Sequence, residues 1–239
     1  ASSLNLKNLR FGRSASAPLS PEVHKKFEQV FNIKIIETMG LTETSAQILS
    51  NPMEKGKHGS AGIPYGNEVK IIDDTGKYLT TGNAGELVIK GDNVLLEYFK
   101  NEEATAKAFN QDGYFLTGDL GVEDKDGFFF ITGRKKELII KGGENISPRE
   151  IDDTLYKHNA VLEACTFGIK DDNYGEEISA CVFLKDNLSV NEEELLALCI
   201  ADLGEYKTPS QIIFVDEPLP KGPSGKIQRL KIASQYSHT

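Results

Sequence analysis

Apolar and polar positions follow each other along this chain in three successive styles, and each style predicts its own packing. In the first, to about residue 50, Val23, Phe27, Val30 and Phe31 recur at helical spacing behind Ser20-Pro21, a capping residue and a helix opener. These four side chains predict the buried face of that helix. The run Ile33-Lys34-Ile35-Ile36 predicts a short buried strand, and Thr38–Ser45 a polar loop beyond its end. Strand, helix and strand in this order form the unit of an open parallel sheet. From 59 to 133 the style changes to short β-rich runs cut by glycine turns: Val69–Ile72, Glu86–Lys90, Tyr114–Val122 and Phe128–Thr132. One helix, capped by Asn101 and ending near Phe109, interrupts them. A small β-barrel-like subdomain is expected.

The third style, from about Lys136, is α+β. Ser147-Pro148-Arg149-Glu150 has the spacing of a capping box, and Ile151, Leu155 and His158 follow on one helical face. Val161–Ile169, Ile178–Leu184 and Gln211–Val215 read as strands. A second helix starts at Asn191, carries Glu192, Glu193 and Glu194 in its first turn, and ends before Gly204. A short helix from Ile227 closes the chain.

Composition narrows the class. At 239 residues, 39% hydrophobic and 26% charged, the sequence suits a soluble globular protein with room for one large domain or two small ones. No apolar run approaches the ~18–20 residues of a membrane span, and Ala1-Ser2-Ser3-Leu4 lacks the basic and apolar regions of a secretory signal. Cys165, Cys181 and Cys199 are too few and too scattered for a disulfide framework or a zinc site, so a cytoplasmic location is expected. A net charge of −9 argues against nucleic acid as a partner. Any phosphate-binding role must come from local geometry.

Four places carry candidate chemistry. Met39-Gly40-Leu41-Thr42-Glu43 lies directly after a buried strand, where open α/β sheets bind ligands. A hydroxyl beside a carboxylate there suits a phosphate oxygen and Mg²⁺, and equally an ordinary exposed turn. In Thr117-Gly118-Asp119-Leu120 the carboxylate offers only acceptors, as a ribose diol requires, although a surface aspartate in a turn reads the same way. Gly133-Arg134-Lys135-Lys136-Glu137 is a charge run at a compositional border, a hinge or a phosphate site. Lys141-Gly142-Gly143-Glu144-Asn145 follows it, with glycines that admit either a close ligand or a hairpin turn. Last, Pro220–Lys226 presents Lys226 on a stiff Pro/Gly loop, as an oriented positive charge or a plain surface lysine.

Taken in order, Ser14–Ser20, Gly40–Glu43, Gly85–Gly91, Tyr114–Leu120, Gly133–Ile151 and Pro223–Arg229 closely resemble the adenylate-forming (AMP-binding) superfamily of acyl-CoA synthetases, luciferases and carrier-protein adenylation domains. The resemblance spans nearly the whole chain. It implies the end of a large α/β subdomain over 1–58, a β-barrel-like subdomain over 59–133 and a mobile α+β C-terminal domain over 134–239. It implies that Ser16, Ala17 and Pro18 line an adenosine site together with Met39 and Gly40. Met39 stands where the family usually has an aromatic residue stacking on adenine, a departure from the pattern. Thr42 would hold the α-phosphate, Glu43 Mg²⁺, and Asp119 the ribose hydroxyls, with help from Arg134. Lys136 falls at the hinge, Gly142 and Gly143 border a pantetheine tunnel, and Lys226 matches the lysine that reaches the α-phosphate.

The implied activity is ATP-dependent activation of a carboxylic acid as acyl-AMP, followed by transfer to CoA. Family members are about twice this length and carry an earlier phosphate loop that is absent here. The resemblance therefore implies a C-terminal fragment that is inactive without the other half of the enzyme. Loading of a carrier protein is the near alternative, and a split or non-catalytic nucleotide- or partner-binding half protein is the more distant one. Arg10–Ser14 and Thr38–Thr42 resemble the oxalyl-CoA synthetase branch, whose substrate is a small dicarboxylate, while fatty and aromatic acids stay open.

Overall fold

A computed structural model describes residues 6–236 of the chain. The opening Ala1–Leu4 segment, read from the sequence as lacking a secretory signal, lies outside the described residues. The chain divides into two compact units, Ala1–Lys135 and Lys136–Thr239.

In the first unit, β1 (Phe11–Ser14), α1 (Pro21–Phe31), β2 (Lys34–Gly40), β3 (Gln47–Ser50) and β4 (Ile63–Pro64) build a sheet of order β1-β2-β3-β4. β1 and β2 run parallel, with Ser14 opposite Glu37, and the later pairs are antiparallel. Strand β2 is longer than expected. Thr38 and Met39 pair with Ser50 and Leu49, so the polar loop starts only at Leu41. The face of α1 also differs from expectation: Val23 and Val30 are 49% and 52% exposed, while His24 is buried. The parallel part of this sheet is a single strand pair, too narrow to cover a wide apolar stripe. What turns inward is the residue whose ring nitrogen meets the Ile35 carbonyl, at 3.2 Å.

The second sheet contains β5 (Glu68–Ile72), β6 (Ala84–Lys90), β7 (Phe115–Glu123) and β8 (Phe129–Arg134) as an antiparallel meander in that order. Helix α2 (Glu102–Lys107) lies between β6 and β7 in the chain, its Asn101 cap accepting from the Ala104 amide. The meander stays open, against the expectation of a barrel. Closure would require β8 to pair with β5, but the outer edge of β8 is taken by the backbone before β4. Ala61 N–H donates to the Phe129 carbonyl and Phe129 N–H to the Gly62 carbonyl, both at 2.9 Å. The two sheets share one core, in which Ile48 and Leu49 meet Ile71, Leu87, Ile89 and Phe129. With that face buried against its neighbour, the meander has no need to curl on itself.

The second unit holds β9 (Ile139–Lys141), β10 (Glu144–Ile146), α3 (Pro148–Leu155), β11 (Val161–Asp171), β12 (Gly175–Leu184), α4 (Glu192–Leu203), β13 (Gln211–Val215) and α5 (Arg229–Tyr236). Its sheet follows β10-β9-β12-β11, with β13 pairing in parallel to β12. Successive residues of a strand point to opposite faces, and β12 uses this fully. Ile178, Ala180 and Val182 join Ile151 and Leu155 of α3 and Leu195 and Cys199 of α4. Cys181 faces the other way with Cys165, Phe167 and Ile232 of α5. All three cysteines are free and buried, and burial pushes the Cys181 and Cys199 thiols up to about 11. At α3 the expected capping box does not close. Pro148 opens the helix, the Ser147 side chain makes no capping hydrogen bond, and Glu150 accepts instead from Lys207 at 2.8 Å.

Candidate functional site

The carboxyl ends of parallel β1 and β2 lie side by side, and the loops leaving them carry the first group of candidate residues. Ligands in open α/β sheets bind outside such ends. After β1, Ser16 takes φ +72°, a left-handed turn that redirects the chain through half-buried Ala17 and exposed Pro18. Arg13 ties the neighbouring strands together, donating from Nε to the Thr38 hydroxyl at 3.1 Å and from Nη2 to Gln47 at 2.6 Å. Past β2, Met39 packs partly buried against the shared core. Gly40 is required by close packing, since a Cβ there would sit 2.2 Å from the Ala46 carbonyl oxygen.

Residues Thr42–Thr44 then form one 3₁₀ turn. Its internal brace is Thr44, fully buried, whose hydroxyl accepts from the Leu41 amide at 3.0 Å. Thr42 is thereby left on the exposed side, beside half-buried Glu43. Two partners of this turn are invisible in the local sequence. Tyr98 donates its hydroxyl to Glu43 Oε1 at 3.1 Å, and Asn93 donates to the Thr44 carbonyl at 2.7 Å. Burial, and then the Glu43 carboxylate, raise the Tyr98 phenol above its ordinary range, so it stays a donor.

Asp119 lies inside β7 and is 3% exposed, which removes the reading of a surface aspartate in a turn. It stands opposite Arg134 on β8, with Arg134 Nε 2.5 Å from Asp119 Oδ1. Gly118, at φ +70°, lets the strand bulge beside it, and Thr117 accepts the Asp119 amide at 3.0 Å. A residue not singled out from the sequence, buried Glu86, accepts the Gly118 amide at 2.9 Å and pairs with Lys135 at 3.0 Å. That bond to Glu86 is the main cause that raises the Lys135 ammonium above its usual range.

In the second unit, Lys136 is exposed in the short 3₁₀ turn Lys135–Glu137. Gly142 and Gly143 link β9 to β10 as a two-residue hairpin turn, with φ +56° and +87°. Both positive φ values are what such a turn demands, so the hairpin reading of these glycines holds. A Cβ on Gly142 would meet the Tyr206 hydroxyl at 2.9 Å, whereas around Gly143 there is open space. The flank is built on Lys141, buried between the rings of Tyr174 and Tyr206 and paired with Glu177 at 2.6 Å. Lys226 closes a tight loop in which Gly222 N–H donates to the Lys226 carbonyl at 2.9 Å. Just beyond, Arg229 anchors the loop: Nη2 lies 2.7 Å from Asp152 and Nε 3.2 Å from Glu137, and Nη1 donates to the Thr166 carbonyl. Burial pushes the Asp152 carboxyl up, and the guanidinium pulls it back.

The chain is thus a two-unit protein with mixed α/β sheets, its polar loops set at strand ends in one unit and on glycine turns in the other. Residues 1–99 match the AMP-binding enzyme family, residues 150–226 match the AMP-binding enzyme C-terminal domain, and the chain belongs to this family. Among relatives, it is 50% identical over 226 residues to the sulfoacetate–CoA ligase of Cupriavidus necator, covering 94% of this chain and 44% of that protein. It is 41% identical over 231 residues to the oxalate–CoA ligase of Arabidopsis thaliana, covering 95% and 45%. The crystal structure of ATP-bound MatB from Rhodopseudomonas palustris superposes with a TM-score of 0.89 at 33% identity, over 95% of this chain and 45% of that one. The chain therefore spans somewhat under half the length of the relatives it matches. No helix among the described residues is long and apolar enough to cross a membrane.

Proposed function

We propose that these residues form part of an AMP-forming acid–CoA ligase, in which a carboxylate takes the AMP portion of ATP and releases pyrophosphate, and the CoA thiol then takes the acyl group and releases AMP. The observation that carries the reading is the buried Asp119 carboxylate, paired with half-exposed Arg134 beside a glycine bulge, found in a chain of this family. A carboxylate held there, its orientation fixed by Arg134, accepts from both hydroxyls of a ribose. Ser16, Ala17, Pro18, Met39 and Gly40 then border the adenosine, with Met39 supplying an apolar wall in place of a stacked ring. The Thr42 hydroxyl binds an α-phosphate oxygen.

Glu43 and Thr42 offer an oxygen-only donor set, which fits Mg²⁺, a hard cation that keeps most of its waters. When bound, Mg²⁺ neutralises charge on the phosphates. Attack of a carboxylate on the α-phosphorus builds negative charge on the equatorial oxygens, and Lys226 stabilises it. Gly142 and Gly143 serve the second step, where the open space around Gly143 supports passage of a thin pantetheine arm. Lys136 acts as the hinge by which the two sets of residues serve in turn.

The match of residues 150–226 to a second domain of the family, in a chain spanning under half the length of its relatives, supports placing this chain within a longer enzyme. The exposed apolar side chains of α1, Val23 and Val30, support further chain covering that face. The names of the two relatives favour a short acid bearing a second acidic group.

The test uses the full-length enzyme with sulfoacetate, oxalate, a medium-chain fatty acid and benzoate, offered with CoA or a holo carrier protein. Release of AMP and a CoA thioester with a short diacid is expected. Lys226→Ala should slow acyl-adenylate formation by about 10²-fold or more, the loss of one preorganised charge in the transition state, and leave thioester formation from supplied acyl-adenylate largely intact. The 239-residue chain alone should form neither product. Acyl-CoA made by that chain alone, or equal loss of both steps in the variant, would overturn the assignment.

A further inference from the structure

Outside the candidate site, one cluster in the first unit brings together the donor types of a transition-metal centre. His24 and Glu28 stand four residues apart on α1, so both project from the same face, and His58 reaches them from the loop between β3 and β4. His24 Nε2 lies 3.6 Å from Glu28 Oε1, and His58 Nε2 lies 3.0 Å from Glu28 Oε2. One ligand atom from each residue falls within 4.8 Å of the other two. Metal bonds of about 2.1 Å set ligand atoms roughly 3.4 Å apart in a tetrahedron. The two contacts with Glu28 bracket that value, and His58 is the exposed member of the three.

From these positions we propose that His24, Glu28 and His58 bind a late divalent cation of the zinc class, clipping α1 to the loop that precedes β4. Two imidazoles and a carboxylate suit Zn²⁺ and disfavour Mg²⁺, which prefers oxygen alone. His24 is 4% exposed, and its Nδ1 has no hydrogen-bond partner. When Nε2 exchanges the Ile35 carbonyl, 3.2 Å away, for the metal, the ring proton moves to Nδ1, which lies 4.0 Å from Glu37 Oε2. A carboxylate behind a ligating histidine is the usual second support of such a site. The loop is held ready by Asn51, which donates to the carbonyls of Glu37 and Ser60 and accepts the Lys57 amide at 2.9 Å. Lys34 donates to Glu28 Oε2 at 3.2 Å, and its side chain is 62% exposed, so it can swing into solvent as the cation enters. Lys57 is engaged elsewhere, with Asp124 and Asp126.

The test is titration of the metal-stripped chain with ZnCl₂ by calorimetry, paired with thermal melting at saturating zinc. One equivalent should bind, the melting temperature should rise, and MgCl₂ should do neither. His58→Ala changes an exposed loop residue, and should weaken zinc binding at least tenfold and abolish the thermal shift. Glu28→Gln should weaken binding similarly. Absence of stoichiometric binding, or equal binding by parent and His58→Ala, would mean a hydrogen-bonded network only and would overturn the proposal. Neither result bears on the CoA-ligase reading.

Discussion

Replacing Arg229 by Met tests how the second unit is held together. The change keeps the alkyl stem in place and removes the guanidinium from Asp152, Glu137 and the Thr166 carbonyl together. Both side chains of the main pair are largely buried, 16% and 9% exposed, and Nη2 and Oδ2 are 2.7 Å apart. Unit charges 4 Å apart attract by about 4 kcal/mol at an effective dielectric of 20. Removing one partner of a buried pair costs about 3–5 kcal/mol, because the remaining charge is stranded. With a urea slope of roughly 1–3 kcal/mol/M, the unfolding midpoint followed by circular dichroism should fall by about 2 M.

The loss should also depend on pH. Burial raises the folded-state pKa of Asp152, and the variant removes the opposing pull of Arg229, raising it further. An acid whose folded pKa lies above its unfolded value favours folding fully while both states are protonated, and that favour is lost as pH rises through the folded value. The variant's deficit should therefore be smallest near pH 4 and grow toward pH 7.5. Adding Asp152→Asn should recover part of it by removing the stranded carboxylate. A midpoint within about 0.3 M of the parent, or a deficit independent of pH, would refute the assignment of this ion cluster as the clamp of the unit.

Two other substitutions follow from the same geometry. In the full-length enzyme, Asp119→Ala should lower kcat/KM for ATP by about 10²-fold, mostly through KM, since hydrogen bonds to a charged group contribute about 1.5–3 kcal/mol each. Initial-rate kinetics at varied ATP would check it, and an unchanged KM would refute ribose binding. At the hairpin, alanine at either glycine should cost about 1–2 kcal/mol from the left-handed backbone. Gly142→Ala should cost more than Gly143→Ala because only its Cβ meets Tyr206, and equal urea midpoints for the two variants would contradict this.

Much of the second unit was legible in the sequence because its signals are local. Asn191 caps α4, Gly204 ends it, and Gln211–Val215 is a strand as the pattern of β-branched residues predicts. The glycine pair after Lys141 admitted a turn or a close ligand, and the two consecutive positive φ values show the turn. The fourfold spacing of His24 and Glu28 was equally visible, yet it gained meaning only when His58, far along the chain, came to lie beside them.

What the sequence by itself determined about this protein is its set of local elements, the three stretches of different patterning, and the order of motifs that marks its family. Tertiary structure alone decided which faces are buried and who partners whom. The stripe on α1 looked like core, but burial depends on what lies opposite, and the narrow parallel sheet buries His24 while Val23 and Val30 stay exposed. The β-rich region looked like a barrel, but closure depends on free edges, and Ala61 and Gly62 had already taken the edge of β8. Glu43 and Asp119 could be picked out as carboxylates, whereas their settings come from Tyr98 and Glu86, more than thirty residues away in each case. Hydrogen bonds of that reach leave no periodicity in a sequence, because they are fixed by how sheets stack and not by the spacing of neighbours.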